Sequence, residues 1–149
     1  MTQTRTDPIF GKMDLVEGKW TTSTQYAQRT IPITVAKNLS QWESVHQLWH
    51  TLQQELQEIT QDVAECCHYD CSIEWGTAFP ISEEQMLAFI QLKSIHFSPD
   101  GCQLQYRCDF SSETWATEEM SEPETMVVAL NWDGEIEHFD YLNEHDFDL

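Results

Sequence analysis

The chain has 149 residues, with 26 Asp and Glu against seven Lys and Arg, and its formal net charge at pH 7 is −19. Such a charge repels phosphate groups and anionic membrane surfaces, so it excludes direct nucleic-acid binding through a basic face and argues against membrane binding. Six Trp, seven Phe and four Tyr supply more apolar surface than a disordered acidic tail carries. The length predicts one folded domain over residues 1–149.

The charge is unevenly distributed along the chain. From residue 38 onward Lys93 and Arg107 stand against 23 carboxylates, and no Lys or Arg follows Cys108. The sequence therefore predicts an acidic C-terminal surface that attracts cations and basic proteins. The alternative is an acidity that reflects salt adaptation or a generally acidic proteome. The other five basic residues all lie in the first 37 positions: Arg5, Lys12, Lys19, Arg29 and Lys37.

A soluble, cytoplasmic protein is expected. The start of the chain, residues 1–8, is polar and predicted to be frayed, and no apolar run approaches the ~20 residues of a membrane span. Five Cys is an odd number, which favours reduced thiols over a disulfide framework. The oligomeric state cannot be read from these features.

Residues 9–36 are predicted to form two or three antiparallel strands, with Glu17-Gly18 as one turn. Pro32 has no amide hydrogen, so the third strand is expected at a sheet edge or with the missing donor directed outward. The prediction rests on apolar or large residues that alternate with polar ones, namely Trp20, Thr22, Thr24 and Tyr26, and then Ile31, Ile33 and Val35.

A long helix is the clearest predicted element. Ser40 and Glu43 fit a capping box, so the helix is expected to start at Ser40. Asp70 falls where an apolar residue should lie, which predicts a break or a second short helix before Gly76. Apolar residues at alternating spacings of three and four form one stripe: Trp42, Val45, Trp49, Leu52, Leu56, Ile59, Val63 and Cys66.

The second half of the chain predicts one short helix and two hairpins. Ser82 and Gln85 fit a capping box for a helix from 82 to about 90. Strands over 92–97 and 102–110 form one hairpin, and strands on either side of Trp132-Asp133-Gly134 form another, before a frayed end at 143–149. The predicted fold class is α+β, an antiparallel sheet with one long helix packed across it and a second, short helix.

The order of these segments resembles bacterial cytosolic domain families of unknown function, some of which occur beside polymorphic toxin genes and are regarded as immunity proteins. The resemblance implies an α+β fold and a recognition role, and it carries no catalytic residues. The matching segments are Phe10-Gly11, Trp20, Ile31-Pro32-Ile33, Trp75, Ile81-Ser82-Glu83-Glu84, residues 92–97, Asp100-Gly101 and residues 132–136.

The chain shows no pattern of a catalytic, cofactor or metal site. Residues 66–71 contain three Cys and one His, but the chain has no C-x-x-C pair, whereas structural zinc sites usually use two short pairs far apart in the sequence. Cys66 fits the helix stripe, and Cys102 and Cys108 share a strand face with apolar residues, so all three are expected in the core. His46 and His50 are expected on a solvated helix face.

Residues 111–124 predict a long acidic loop. Its apolar residues, Trp115 and Met120, would anchor a basic protein among carboxylates, although the same composition also suits a solvated connection. The leading hypothesis is a non-catalytic domain that binds a basic protein, of the immunity or inhibitor type. The alternatives are a mimic of the DNA backbone and a small metal- or thiol-dependent enzyme. The candidate binding residues are Glu113, Trp115, Glu118, Glu119, Met120, Glu122 and Glu124.

Overall fold

One long helix covers one face of an eight-stranded sheet. The computed structural model describes residues 3–76, 79–118 and 120–142. The predicted α+β class is confirmed, with a larger sheet than expected. The elements are β1 (Thr4–Asp7), β2 (Gly11–Val16), β3 (Lys19–Tyr26), β4 (Arg29–Ala36), α1 (Trp42–Trp75), α2 (Glu83–Met86), a 3₁₀ turn (Leu87–Phe89), β5 (Ile90–Ser98), β6 (Gly101–Cys108), β7 (Glu124–Leu130) and β8 (Ile136–Leu142).

The strands lie in the sheet in the order of the sequence, from β1 to β8. All neighbours are antiparallel except β4 and β5, whose parallel ladder pairs Ile33–Val35 with Ile95–Phe97. A parallel pair needs a long crossover, which α1 provides. The prediction of an edge position for the strand that contains Pro32 is wrong, because β4 is central. Its ladder to β5 begins at Ile33, one residue beyond the proline that lacks an amide hydrogen.

Strand β1 lies in a segment that was expected to be frayed. Thr4–Asp7 pairs along its whole length with residues 11–14 of β2, whereas residues 1–8 were predicted to be frayed. The other predicted frayed end, residues 143–149, lies outside the described residues. Two turns match the sequence: Glu17 and Gly18 both have positive φ between β2 and β3, and Gly101 begins β6. A Cβ at Gly101 would lie 2.1 Å from the Leu130 carbonyl oxygen, so only glycine fits there.

The core lies between α1 and one face of the sheet. Trp49 and Leu52 are buried there, as predicted, together with Cys102 and Cys108. The predicted burial of Cys66 is wrong, because Cys66 is exposed and Cys67 is 2% exposed. Alternating steps of three and four residues average 3.5, while the helix has 3.6 residues per turn, so the buried stripe drifts by one position over its length.

Helix α1 has 34 residues and is about 50 Å long at 1.5 Å per residue. The predicted start at Ser40 and the predicted break before Gly76 are both wrong. The helix begins at Trp42 after Gln41, with no side-chain cap from Ser40, and it continues without a break through Asp70 to Trp75. The Gly76 amide donates to the Ser72 carbonyl at 2.7 Å and the φ of Gly76 is +96°, which ends the helix.

The second capping box is confirmed. Ser82 Oγ accepts from the Gln85 amide at 3.2 Å, and Gln85 Oε1 accepts from the Ser82 amide at 2.8 Å. The helix that follows is shorter than predicted, because the chain tightens into a 3₁₀ turn at Leu87. Among the described residues no helix is long and apolar enough to cross a membrane.

Candidate functional site

A cavity of about 530 Å³ lies where the last third of α1 meets the end of β6, the acidic loop and β8. We call it the acid-rimmed cavity, because Asp70, Glu122 and Glu124 lie among thiol and apolar side chains and no Lys or Arg lines it. Its lining residues are Cys67, Asp70, Cys71, Ile73, Cys108, Phe110, Met120, Glu122, Glu124 and Tyr141.

Helical spacing places one wall of the cavity. Cys67, Asp70 and Cys71 are separated by three and four positions on α1, so their side chains lie on one face. The opposite wall comes from Tyr141 on β8, whose neighbour in the β7–β8 ladder is the fully buried Met126. The sheet and the helix therefore hold both walls in fixed positions.

A hydrogen bond joins these two walls. The Tyr141 hydroxyl donates to Asp70 Oδ2 at 2.5 Å and lies 3.7 Å from Cys67 Sγ. Burial and the hydrogen bond to Asp70 raise the pKa of Tyr141, so the phenol remains a neutral donor. Asp70 does not interrupt the helix because its side chain is exposed, and its carboxylate accepts this hydrogen bond from β8.

Two thiols of the cavity, Cys67 and Cys108, are protonated at neutral pH. Burial raises the pKa of Cys67 to about 12, against a smaller opposing effect of its hydrogen bond with Tyr141. Burial also raises the pKa of Cys108, and nearby thiols and carboxylates add to the effect. Nucleophilic and metal-binding cysteines react as thiolates, so Cys67 and Cys108 act as apolar lining. No cluster of three or more His, Cys, Asp or Glu in the described part of the chain is arranged to hold a metal ion.

Three of the candidate binding residues lie at the cavity. Met120, Glu122 and Glu124 belong to the acidic loop and the start of β7, and all three line the cavity wall. Glu113 and Glu118 lie earlier on the loop, outside this wall, and Glu118 is exposed. Glu119 is outside the described residues. The structure thus brings one end of the predicted loop, and not its whole length, to the cavity.

Trp115, expected as an apolar anchor for a partner, is half-buried in an aromatic cluster. Much of its ring surface is therefore used to hold the acidic loop against the end of α1 and the end of β6. The ring centroids of its neighbours lie at 5.1 Å for Phe110, 5.7 Å for Phe79, 6.0 Å for Trp75 and 6.3 Å for Phe89.

Exposed apolar side chains surround the cavity. Tyr69 and Ile73 lie one turn apart on α1 and are 66% and 64% exposed, and Ile73 reaches the cavity wall. On β8, Tyr141 lines the cavity and is 40% exposed, whereas Ile136, which is 47% exposed, lies at the other end of the strand. Large apolar residues beside carboxylates are typical of protein-binding surfaces, where they form the contact and the charges form the rim.

The solvent side of α1 is acidic, and several basic side chains lie on the opposite face of the sheet. Helix α1 contains no Lys or Arg, and its solvent side carries Glu55, Glu58, Asp62 and Glu65. The face of the sheet away from α1 carries four basic side chains, Lys12, Lys19, Lys93 and Arg107. Their face follows from alternation with buried residues along the strand, or from proximity to other side chains that are on this face. The cavity opens in the acidic part of the molecule.

His46, predicted on a solvated face, instead binds a buried carboxylate. Its Nε2 lies 2.9 Å from Asp7 Oδ1, and its ring packs beside Phe10 and Trp42. The other predicted histidine, His50, is exposed. Because Asp7 belongs to β1 and His46 to α1, this contact holds the two elements together.

The sequence reading missed Asp70 and Tyr141 as members of a site. The available signal was Asp70, a carboxylate at a position where the helix stripe required an apolar residue. In the structure Asp70 is exposed beside the buried face, where its carboxylate accepts a hydrogen bond from Tyr141. The chain matches no protein-family model, no curated protein and no solved structure.

Proposed function

We propose that this protein is a non-catalytic recognition domain that binds a basic protein through the acid-rimmed cavity and the apolar residues around it. The observation that carries the proposal is the composition of the cavity: three carboxylates over a lining of thiols, Phe110 and Met120, without a cation. A Lys or Arg side chain fits such a site, because its aliphatic stem packs on apolar groups while its charged head meets carboxylates.

The chemistry of the thiols supports recognition over catalysis. Protonated Cys67 and Cys108 are poor nucleophiles, and Tyr141 donates to Asp70 rather than acting as a base. The resemblance to families that include immunity proteins favours the same class. Immunity proteins inhibit by binding, which requires a complementary surface and no reactive group.

The test compares two double variants that each remove two charges. Glu122→Gln with Glu124→Gln changes the cavity rim, and Glu55→Gln with Glu58→Gln changes the exposed side of α1. Proteins captured from a cell extract are identified, purified and measured for binding kinetics over a salt series. We expect the cavity variant to weaken binding by about tenfold or more, and the helix variant by less than about threefold.

Salt and charge then separate specific recognition from general attraction. Association should slow as salt rises, since screening acts over about 8 Å at physiological ionic strength. That trend alone would follow from net charge with any cation. If the two double variants weaken binding equally, the cavity has no special role and the proposal is wrong.

The DNA-mimic alternative has one observation in its favour. Glu55, Glu58, Asp62 and Glu65 form an exposed row on α1, with axial steps of about 5 Å at 1.5 Å per residue. A mimic would use this row, so its binding would depend on Glu55 and Glu58 and be insensitive to Glu122 and Glu124. The same pair of variants therefore decides between the two functions.

A further inference from the structure

Strand β8 leaves one edge of the sheet open next to the acid-rimmed cavity. It is the last strand in the sheet order and pairs on one side with β7, and within the described ranges no segment pairs with its other side. From Ile136 to Tyr141 every residue except Phe139 is exposed. An edge strand presents a row of backbone amides and carbonyls that can pair with another extended chain.

The two edges of the sheet differ in how well they are suited to this role. Strand β1 has four residues, whereas β8 has seven and exposes the large apolar side chains of Ile136 and Tyr141. Proteins usually protect their edges with short strands or charges. The charges on β8 are all acidic, so they discourage pairing between two copies of this chain but attract a basic segment.

We propose that β8 receives an extended, Lys- or Arg-rich segment of the partner as a ninth strand, in a complex that rests on the function proposed above. Main-chain hydrogen bonds to β8 would supply affinity, and alternate side chains would supply specificity, as in other cases of strand addition. The partner is therefore a protein with an accessible, extended basic segment.

The two faces of β8 define the side chains that such a segment needs. Phe139 and Tyr141 lie on the side of α1, opposite the buried Val128 and Met126. The side chains of the added strand that lie next to Phe139 and Tyr141 contact these two rings and, beyond Tyr141, the carboxylate of Asp70. His138 and Asp140 lie on the opposite face, where a basic side chain can pair with Asp140. The fitting pattern alternates apolar and basic residues, with at least one cation near the cavity.

Charge complementarity supports this occupant over the alternatives. Glu135, Glu137 and Asp140 lie on or beside β8, and Glu122 and Glu124 lie across the cavity. A second copy would bring the same carboxylates into opposition, which destabilises a cross-strand pair. An acidic segment is excluded for the same reason.

The experiment uses three synthetic peptides and the full chain. The first is a capped nine-residue peptide of alternating Lys and Val; the second and third carry backbone N-methyl groups on the Val residues or on the Lys residues. In a strand, alternate amides point to the same edge. When the Val side chains face α1 and the peptide runs in one direction, only one of the two sets of amides points at β8. Strand addition therefore predicts that one methylated peptide binds at least about tenfold more weakly, because it loses several hydrogen bonds, while the other binds within about threefold of the parent.

Hydrogen exchange of the protein gives a second measurement. On binding of the unmethylated peptide, alternate amides of β8 should gain protection, and those of β1 should not. Equal binding by both methylated peptides, no binding by the unmethylated peptide, or a dimer formed through β8 would each overturn strand addition. The proposed function is tested separately by the charge variants with the captured partner, so either idea can fail while the other stands.

Discussion

Among the described residues, Asp7 is the one charged residue that is buried. Its side chain is fully buried and accepts from the amides of Ile9 and Phe10, each at 2.9 Å, and from His46. Burial alone would raise the pKa of Asp7, but the hydrogen bonds from Phe10, Ile9 and His46 outweigh it and hold the pKa below 3.8. The ionised carboxylate therefore ties β1, and the turn after it, to the start of α1.

This arrangement predicts a pH-dependent contribution to stability. Because the folded-state pKa lies below the unfolded value near 3.8, the contribution is present above pH 3.8 and is lost as the pH falls through the folded-state pKa. We expect Asp7→Asn to lower the free energy of unfolding at pH 7 by about 1–3 kcal/mol. The difference from wild type should narrow in acid, as measured by urea denaturation over a pH series.

Asp14→Asn on β2 is the matched control, because Asp14 is only half-buried and lies on the face away from Met13. It should cost less than about 0.5 kcal/mol. A cost for Asp7→Asn that stays constant from pH 7 to pH 3 would show that the ionised state of Asp7 does not matter.

Local sequence could not reveal this pair. Asp7 and His46 are 39 positions apart, and each looks like an ordinary surface residue among its neighbours. Asp7 is positioned by the antiparallel pairing of β1 with β2. The sequence did not predict this pairing, because the alternation of apolar and polar residues covers only residues 9–36. The polar start of the chain was read as frayed because it contains no apolar alternation of its own.

A buried polar contact joins the middle of helix α1 to the sheet. Thr60 Oγ1 donates to the Leu56 carbonyl at 2.8 Å and lies 2.9 Å from the hydroxyl of Tyr106 on β6. The Tyr26 hydroxyl on β3 donates to the same oxygen at 3.3 Å. One threonine therefore serves two tyrosines from different strands and fixes the position of the helix along the sheet.

We expect Thr60→Val to lower the free energy of unfolding by about 1–3 kcal/mol, because it leaves the buried Tyr106 hydroxyl without this partner. Adding Tyr106→Phe should recover part of that loss, since the unsatisfied hydroxyl is then removed as well. Denaturation of the two single variants and the double variant gives the coupling between them. Strictly additive costs would mean that the two hydroxyls do not depend on each other.

The two capping boxes show what decides a helix start. Ser82 caps α2 as its sequence predicts, whereas Ser40 has the same local pattern and does not cap α1. The start of α1 is instead set by tertiary contacts: Leu39 is buried, and the Arg5 guanidinium lies 3.7 Å from the ring centre of Trp42. Local hydrogen bonding predicts a short helix well, but packing decides where a long one begins.

The whole chain has a formal net charge of −19 at pH 7. Carboxylates held close together repel one another most in the folded state. We therefore expect the thermal midpoint to rise as NaCl increases from about 0.01 to 0.5 M, because the Debye length falls from about 30 Å to a few ångströms. Choline chloride should have the same effect if screening is the cause. A midpoint that is independent of both salts would mean that the repulsion is negligible.

The candidate site is predictable only in its parts. The cysteines of α1 were visible in the sequence, as were Cys108 and the acidic loop, but a long stretch of chain separates α1 from the other two. Tyr141 and Cys67, which meet at the cavity, are 74 positions apart. Sequence periodicity assigns residues to a face of one element, whereas a cavity depends on how elements pack. Part of the composition of the site could therefore be predicted, whereas Asp70, Tyr141 and the location of the site could not.

The parallel pairing of β4 with β5 divides the sheet into two antiparallel meanders. Strands within each meander are mostly joined by short turns, whereas Thr34 and His96 meet across 62 positions. Closing a long loop costs more entropy than closing a hairpin, and non-local contacts slow folding. We expect the two meanders to form before they join, so that the β4–β5 ladder is the last part of the sheet to assemble.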